Sequence, residues 1–268
     1  VLADTLYNLY IKFVGVNFEI KAMTFPFYYL MSNALVMMVV AGPGRFAIDT
    51  IKNISTWVYG VAYLGSFVVE IYLIHYVSST ELSILLRLTV PVCIMLALVF
   101  NKRIPTVYDF ISSLTIVIAM GVILYMQDVS YLKSILALCI LLAILESMGY
   151  FIPENHSENE KAIKQSGLRG QMRVIAFATF VTTSLMFIAL IAFCLLNEKL
   201  GLSKLVGVES NIVELSHFIH LPTVISGLAF GCLIAPFMRF FQWSATYKIT
   251  SEGVLTIMAI IPFETFKI

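Results

Sequence analysis

Apolar residues in this chain come in long runs separated by short polar stretches. Runs of roughly the length that crosses a bilayer as a helix occur at 25–41, 54–77, 80–100, 109–127, 131–151, 173–196, 221–246 and 250–268. The runs 54–77 and 80–100 are divided by little more than Ser78, Ser79 and Thr80, which predicts a sharp reversal. A weaker run, 1–20, carries Asp4, Lys12 and Glu19. It reads as a first bundle helix or an amphipathic lead-in, and it lacks the pattern of a cleaved signal peptide. The chain stops at Ile268 inside an apolar stretch, so both ends read as trimmed from a longer protein. The longest polar segment, Pro153 to Gln171, reads as a mobile loop with solvated charges. The pattern predicts an all-α, polytopic membrane bundle of about nine helices.

Composition agrees. The 268 residues are 60% hydrophobic and 12% charged, with a mean hydropathy of +0.93. Ordinary soluble domains are about 45–50% apolar and about 25% charged. A soluble core cannot absorb such an excess, and lipid can. The net charge of +1 argues against a nucleic-acid partner. Cys93, Cys139, Cys194 and Cys232 all lie in apolar runs and read as small buried hydrophobes. No cofactor motif is present, and neither is HExxH, GxSxG or a phosphate-cradling glycine loop, so nothing suggests an enzyme.

Charge sets an orientation. With the N-terminus in the cytoplasm, alternating spans put Arg45, Lys52, Lys102, Arg103, Lys161, Lys164, Arg169, Arg173, Arg239 and Lys248 on the inner side. The outer side holds only Lys21, Lys133, Lys199 and Lys204. That is the positive-inside bias.

An internal repeat refines the bundle. At one offset Gly60 meets Gly231, Tyr76 meets Tyr247, Glu81 meets Glu252 and Pro91 meets Pro262. Each copy is a long helix, a short turn and a helix with proline near its middle. The two turns fall on opposite faces, so the halves 1–127 and 128–268 read as inverted repeats, the architecture of many secondary transporters. The final helix of the second half is expected beyond Ile268.

The segment "YVSSTELSILLRLTVPVCIMLALVFNKRIPTVYDFISSLTIVIAMGVILYM" resembles the drug/metabolite transporter superfamily. It has a hydroxyl-rich turn, a helix reaching Pro91-Val92, the basic connector "NKRIPT" and a helix with a Gly-Val pair. Within that superfamily it is most similar to the nucleotide-sugar and triose-phosphate translocator branch. The resemblance implies a ten-helix inverted-repeat fold, a central cavity, both termini in the cytoplasm, and a basic residue, here Arg87, contacting substrate phosphate. The chain departs from the branch at Met258, where a base is expected, and at Lys102, where an acid is expected.

Ionisable residues inside hydrocarbon cost several kcal/mol and need a reason to be there. Arg87 reads as an anion anchor about two turns into its helix, or as an ion-pair partner of Glu70. Glu146 reads as a proton-coupling carboxylate or a wetted helix end. Arg239 reads as a cavity cation or an interfacial anchor beside Trp243. Lys267, Tyr247 and Asn33 complete the candidate substrate contacts, Asn33 being equally readable as inter-helix glue. Glu81 and Glu252 read as first-turn carboxylates favoured by the helix dipole.

The function expected is alternating-access transport of a small polar, anionic metabolite by a protein in contact with lipid, in a homodimer or alone. An exporter of amino acids or drug-like cations, and a non-transporting membrane subunit, remain the alternatives.

Overall fold

The computed structural model describes residues 10, 13–14, 17–42, 44–74, 77, 86–102, 104–125, 129–200 and 214–248. Among them 91% are helical and none is in a strand. The helices are α1 (Phe25–Ala41), α2 (Arg45–Asp49), α3 (Ile54–Ile74), α4 (Thr89–Asn101), α5 (Val107–Tyr125), α6 (Val129–Asn155), α7 (Ser157–Leu200), α8 (Leu215–Phe218), α9 (Leu221–Ala229) and α10 (Ala235–Lys248). Short 3-10 turns cover Thr50–Lys52 and Leu86–Leu88, and a π-turn, Phe230–Ile234, joins α9 to α10.

Four segments are long and apolar enough to cross a membrane: Ile54–Leu73, Ile135–Asn155, Ser157–Asn197 and Leu215–Phe241. Phe25–Ala41, Leu86–Asn101 and Val107–Val122 are shorter apolar helices. The predicted reversal at 78–80, the run 250–268 with Glu252, Pro262 and Lys267, and most of 1–20 lie outside the described residues. Helix α5 shows why lipid is needed. Val107, Tyr108, Phe110 and Ile118 are all exposed, and Tyr125 is 90% exposed. A patch of that kind is tolerated only where something apolar covers it. These are the features of a membrane helical bundle.

Helix α7 lies against α1, α2, α3 and α10, and α6 lies against α3 and α4. The innermost cluster joins Phe25, Phe27, Tyr29 and Leu30 of α1 to Phe67 and Ile71 of α3 and Phe230 of the π-turn. Several glycines allow contacts closer than a side chain would permit, two of them against a facing hydroxyl residue. A Cβ on Gly60 of α3 would collide with Thr182 of α7, and one on Gly231 would collide with Ser32 of α1. In both places the facing hydroxyl donates back into its own helix. Ser32 reaches the Tyr28 carbonyl at 2.7 Å, and Thr182 reaches the Ala178 carbonyl at 2.7 Å. Small residues and inward-turned hydroxyls let membrane helices approach without leaving polar atoms bare.

Two sequence readings need correction, the loop at Pro153–Gln171 and the burial of Cys232. Pro153–Gln171 is not a loop. Residues 157–166 form a helical arm, and Gly167 (φ 57°) breaks the helix before its long shaft. The arm is amphipathic, burying Asn159 and Ala162 and exposing the pairs Lys161–Glu158 and Lys164–Glu160, both 2.6 Å. Pro91 lies in the first turn of α4, where its missing N–H would have served the Arg87 carbonyl; Leu86–Leu88 ahead of it is a 3-10 turn, and 78–85 lie outside the described residues. Cys93, Cys139 and Cys194 are buried, whereas Cys232 is exposed on the π-turn.

The arm is tied down by a buried histidine. The Glu158 N–H donates to His156 Nδ1 at 3.2 Å. The opposite nitrogen, Nε2, is 2.9 Å from Thr56 Oγ1, and that hydroxyl donates to the Thr50 carbonyl at 2.7 Å. This pattern fixes the neutral ring with its proton on Nε2. Protonating Nδ1 would set two donors face to face. Burial pushes the ring's pKa below its ordinary value, against the raising effect of Glu158.

Two outcomes are expected. Gly231→Ala lowers stability by about 1–3 kcal/mol, because the added methyl overpacks the α1 contact; an unchanged thermal midpoint in detergent would refute the close approach. For His156 the unfolded chain binds the proton more readily than the folded one. Its contribution is therefore complete above the unfolded value, about 6.5, and is lost as pH falls from there through the lower folded value. The thermal midpoint should drop as pH falls below about 6.5, and His156→Asn should flatten that drop.

Candidate functional site

The sequence candidates separate into two places. The first is at the junction of α1, α3 and α10. Along α3, Tyr59, Tyr63, Phe67 and Glu70 recur at helical spacing and form one stripe. Tyr59 and Tyr63 stack with centroids 5.2 Å apart, and Phe67 stands edge-on to Tyr63 at 5.2 Å. Arg239 lies over this ladder, its guanidinium 5.0 Å from the Tyr63 centroid and 5.4 Å from that of Phe67. Its Nη2 donates to the Tyr29 hydroxyl at 3.0 Å. Tyr150 of α6 is also within electrostatic reach of the cation.

Arg239 and Glu70 are each 8% exposed. Arg239 is therefore enclosed by the bundle's own side chains, as is Trp243 one turn on. The local cause is the segment before it. Pro236 cannot donate to the Cys232 carbonyl, and the chain passes through a π-turn at 230–234. A π-turn inserts a residue into the helical count and so rotates everything after it. The result aims Arg239 at Tyr29 and Tyr63.

Asn33 of α1 is 3% exposed. Its Oδ1 has no hydrogen-bond donor among the described residues. It sits beside the Gly231 contact, where a Cβ would come within 3.1 Å of its backbone nitrogen. On the α7 side, Tyr59 and Thr179 join hydroxyls at 3.1 Å, next to buried Thr182 and Thr183.

The second place is the contact between α4 and α6. Thr89 donates to Glu146 Oε2 at 2.8 Å. Ser147 donates to the Thr89 carbonyl at 3.0 Å. Arg87 is half-buried in the 3-10 turn just before Thr89. That turn packs on α6, with Leu86 and Leu88 against Leu73, Cys139 and Leu142. The turn that carries Arg87 therefore lies on the helix that carries Glu146, and its flanking leucines join the same cluster as Leu73, one turn beyond Glu70 on α3. Arg87 sits in a turn at the start of α4, not two turns inside a described α-helix. Tyr247 falls in α10, but its side chain, like all of Lys267, lies outside the described residues.

Sequence reading missed the Tyr59–Tyr63–Phe67 ladder. Its signal was the four-residue spacing of aromatics on a helix already carrying an intramembrane glutamate. Among the described residues, no group of three His, Cys, Asp or Glu side chains could hold a metal ion.

No protein-family model matches the chain, and no curated protein or solved structure matches it.

The Tyr29 hydroxyl is the acceptor for a buried charge. Tyr29→Phe should cost about 1–3 kcal/mol of stability. In the Arg239→Met background the same change should cost far less, because the cation is gone. Equal losses in the two backgrounds, read as thermal midpoints, would show that the hydrogen bond contributes nothing.

Proposed function

We propose that this chain is a secondary transporter of a small anionic metabolite, built as inverted repeats on the plan of the drug/metabolite transporters. The observation that carries the reading is Arg239, a guanidinium buried between α1, α3 and α10. A cation in that position is costly and is expected to serve an anion. Tyr63 and Phe67 take its face, whereas a phosphate or carboxylate takes its edge. The two kinds of contact therefore do not compete, and the aromatics can steady the group while cargo comes and goes.

The repeat is supported by its paired glycines. Gly60 and Gly231 fall at one sequence offset, and each meets a small hydroxyl residue on a facing helix, Thr182 or Ser32. A glycine–hydroxyl contact at both matched positions favours reading the two segments as copies of one element. The N-terminus is cytoplasmic on this reading, from the positive-inside bias. Cargo is a nucleotide sugar or another phosphorylated metabolite, with Arg239 as its central anchor and Arg87 a second cation beside Glu146.

A cation or amino-acid exporter is the competing reading, favoured by the buried carboxylate of Glu70 in the same stripe. Uptake into proteoliposomes, with a panel of nucleotide sugars, sugar phosphates, nucleotides and amino acids, separates them. An anionic substrate is expected to be moved. Arg239→Gln should reduce its transport by about tenfold to a hundredfold, the worth of one charge-assisted contact, while Glu70→Gln has a smaller effect. Transport of cations alone, lost in Glu70→Gln and kept in Arg239→Gln, sinks the anion reading. If no panel member is transported, the non-transporting subunit takes its place.

A further inference from the structure

A polar cleft of about 620 Å³ lies at the end of the bundle, its lining including Arg45, Asp49, Lys52, Ile54, Glu158 and Lys161. Its floor is the short segment that joins α1 to α3, and its wall is the arm of α7. Three cations face two carboxylates. They are unequally engaged. Lys161 is held by Glu158 at 2.6 Å. Lys52 is only loosely placed, 3.9 Å from Asp49 with its side chain 86% exposed. Arg45 is exposed. With Lys161 and Glu158 cancelling, Arg45 and Lys52 outweigh Asp49, and the cleft holds an excess positive charge. Its edge is apolar: Ile54 is 74% exposed, and Ile48 and Ile51 are exposed on the same segment.

That combination sits where the apolar helices α1, α3 and α7 meet the polar cap, beside Ile54, the first residue of an apolar segment long enough to span a bilayer. Isoleucines exposed beside a cationic cleft suit an amphiphile better than a free solute. A phosphate ester takes the guanidinium edge of Arg45 and the ammonium of Lys52, and acyl chains cover the isoleucines. Basic pockets at helix ends are the recognised means of holding anionic headgroups. We propose that this cleft binds the phosphate of an anionic membrane lipid, with Arg45 and Lys52 as its ligands and Asp49 as the competing internal anion. The proposal needs only the membrane location, not transport.

The test uses the full chain in a neutral detergent. Its thermal midpoint is followed as phosphatidylglycerol, phosphatidylcholine or glycerol 3-phosphate is added. Phosphatidylglycerol should raise it by roughly 3 °C or more, by mass action on the folded state, and the other two should not. Arg45→Gln with Lys52→Gln should remove most of the rise. Asp49→Asn should enlarge it, which keeps the test decisive if the double variant fails to fold. An equal rise with phosphatidylcholine overturns the proposal, as does a full rise in the double variant or no gain in Asp49→Asn. An equal rise with glycerol 3-phosphate overturns the lipid as ligand and makes the cleft a soluble phosphate site.

Discussion

A guanidinium buried among apolar helices constrains everything near it. Water is not at hand, so its solvation must come from protein groups arranged in advance. Arg239 obtains that from a phenol on α1 and from ring faces on α3. Each contact requires a helix to be at a set distance and rotation. Tyr29 is in turn held edge-on by Phe67 and by Phe230, with centroids at 4.9 and 5.0 Å. The cation and the aromatic core are thus one structure. The core packs as it does partly because a charge must be housed within it.

The same constraint explains the hydroxyls. Ser32, Thr179 and Thr182 are all buried and all donate to carbonyls of their own helices. That leaves their small surfaces for packing. Gly60 and Gly231 exploit this, because a glycine can press against a hydroxyl that is already satisfied. At the polar end the device differs. Arg173 donates through Nε and Nη2 to the Ala41 carbonyl, at 3.2 and 3.1 Å, closing the end of α1. Asn159 does the same for the Pro153 carbonyl at 2.7 Å, near the end of α6. Helix ends leave carbonyls unserved, and here long polar side chains from α7 reach back to serve them.

Much of this was legible in the sequence, and the exceptions have physical causes. Apolar runs located the helices well, because lipid-facing and buried positions are both apolar and their sum survives any packing arrangement. Arg239 was visible as an intramembrane cation. Its destination was not, since that depends on the π-turn and Pro236, which change rotation without changing composition. The arm 157–166 was misread because its polarity suggested a loop. Its helical signs were present: acids in the first turn and Glu160 four residues before Lys164, a spacing that supports a helix. What could not be read was the burial of His156 and Asn159, which requires the facing Thr50–Thr56 segment. Arg87 is carried by the 3-10 turn ahead of Pro91, which packs on α6, a placement that composition does not reveal.

Helix α7 makes the two polar regions one mechanical system. Its shaft carries Thr179 and Thr182 to the α3 stripe beneath Arg239, and its arm walls the cleft at the bundle's end. The shaft also closes α1 through Arg173, and α1 supplies Tyr29 to the cation. A movement of α7 relative to α3 would therefore slide Thr182 along Gly60 and shift the arm together. Gly60 suits such sliding, because a surface without a side chain offers no knob to climb over. Gly167 marks the one point where arm and shaft can change angle, with a backbone conformation that other residues rarely adopt. Any rearrangement at the buried cation would therefore bear on the bundle's polar end through α7, whose helix is broken at Gly167.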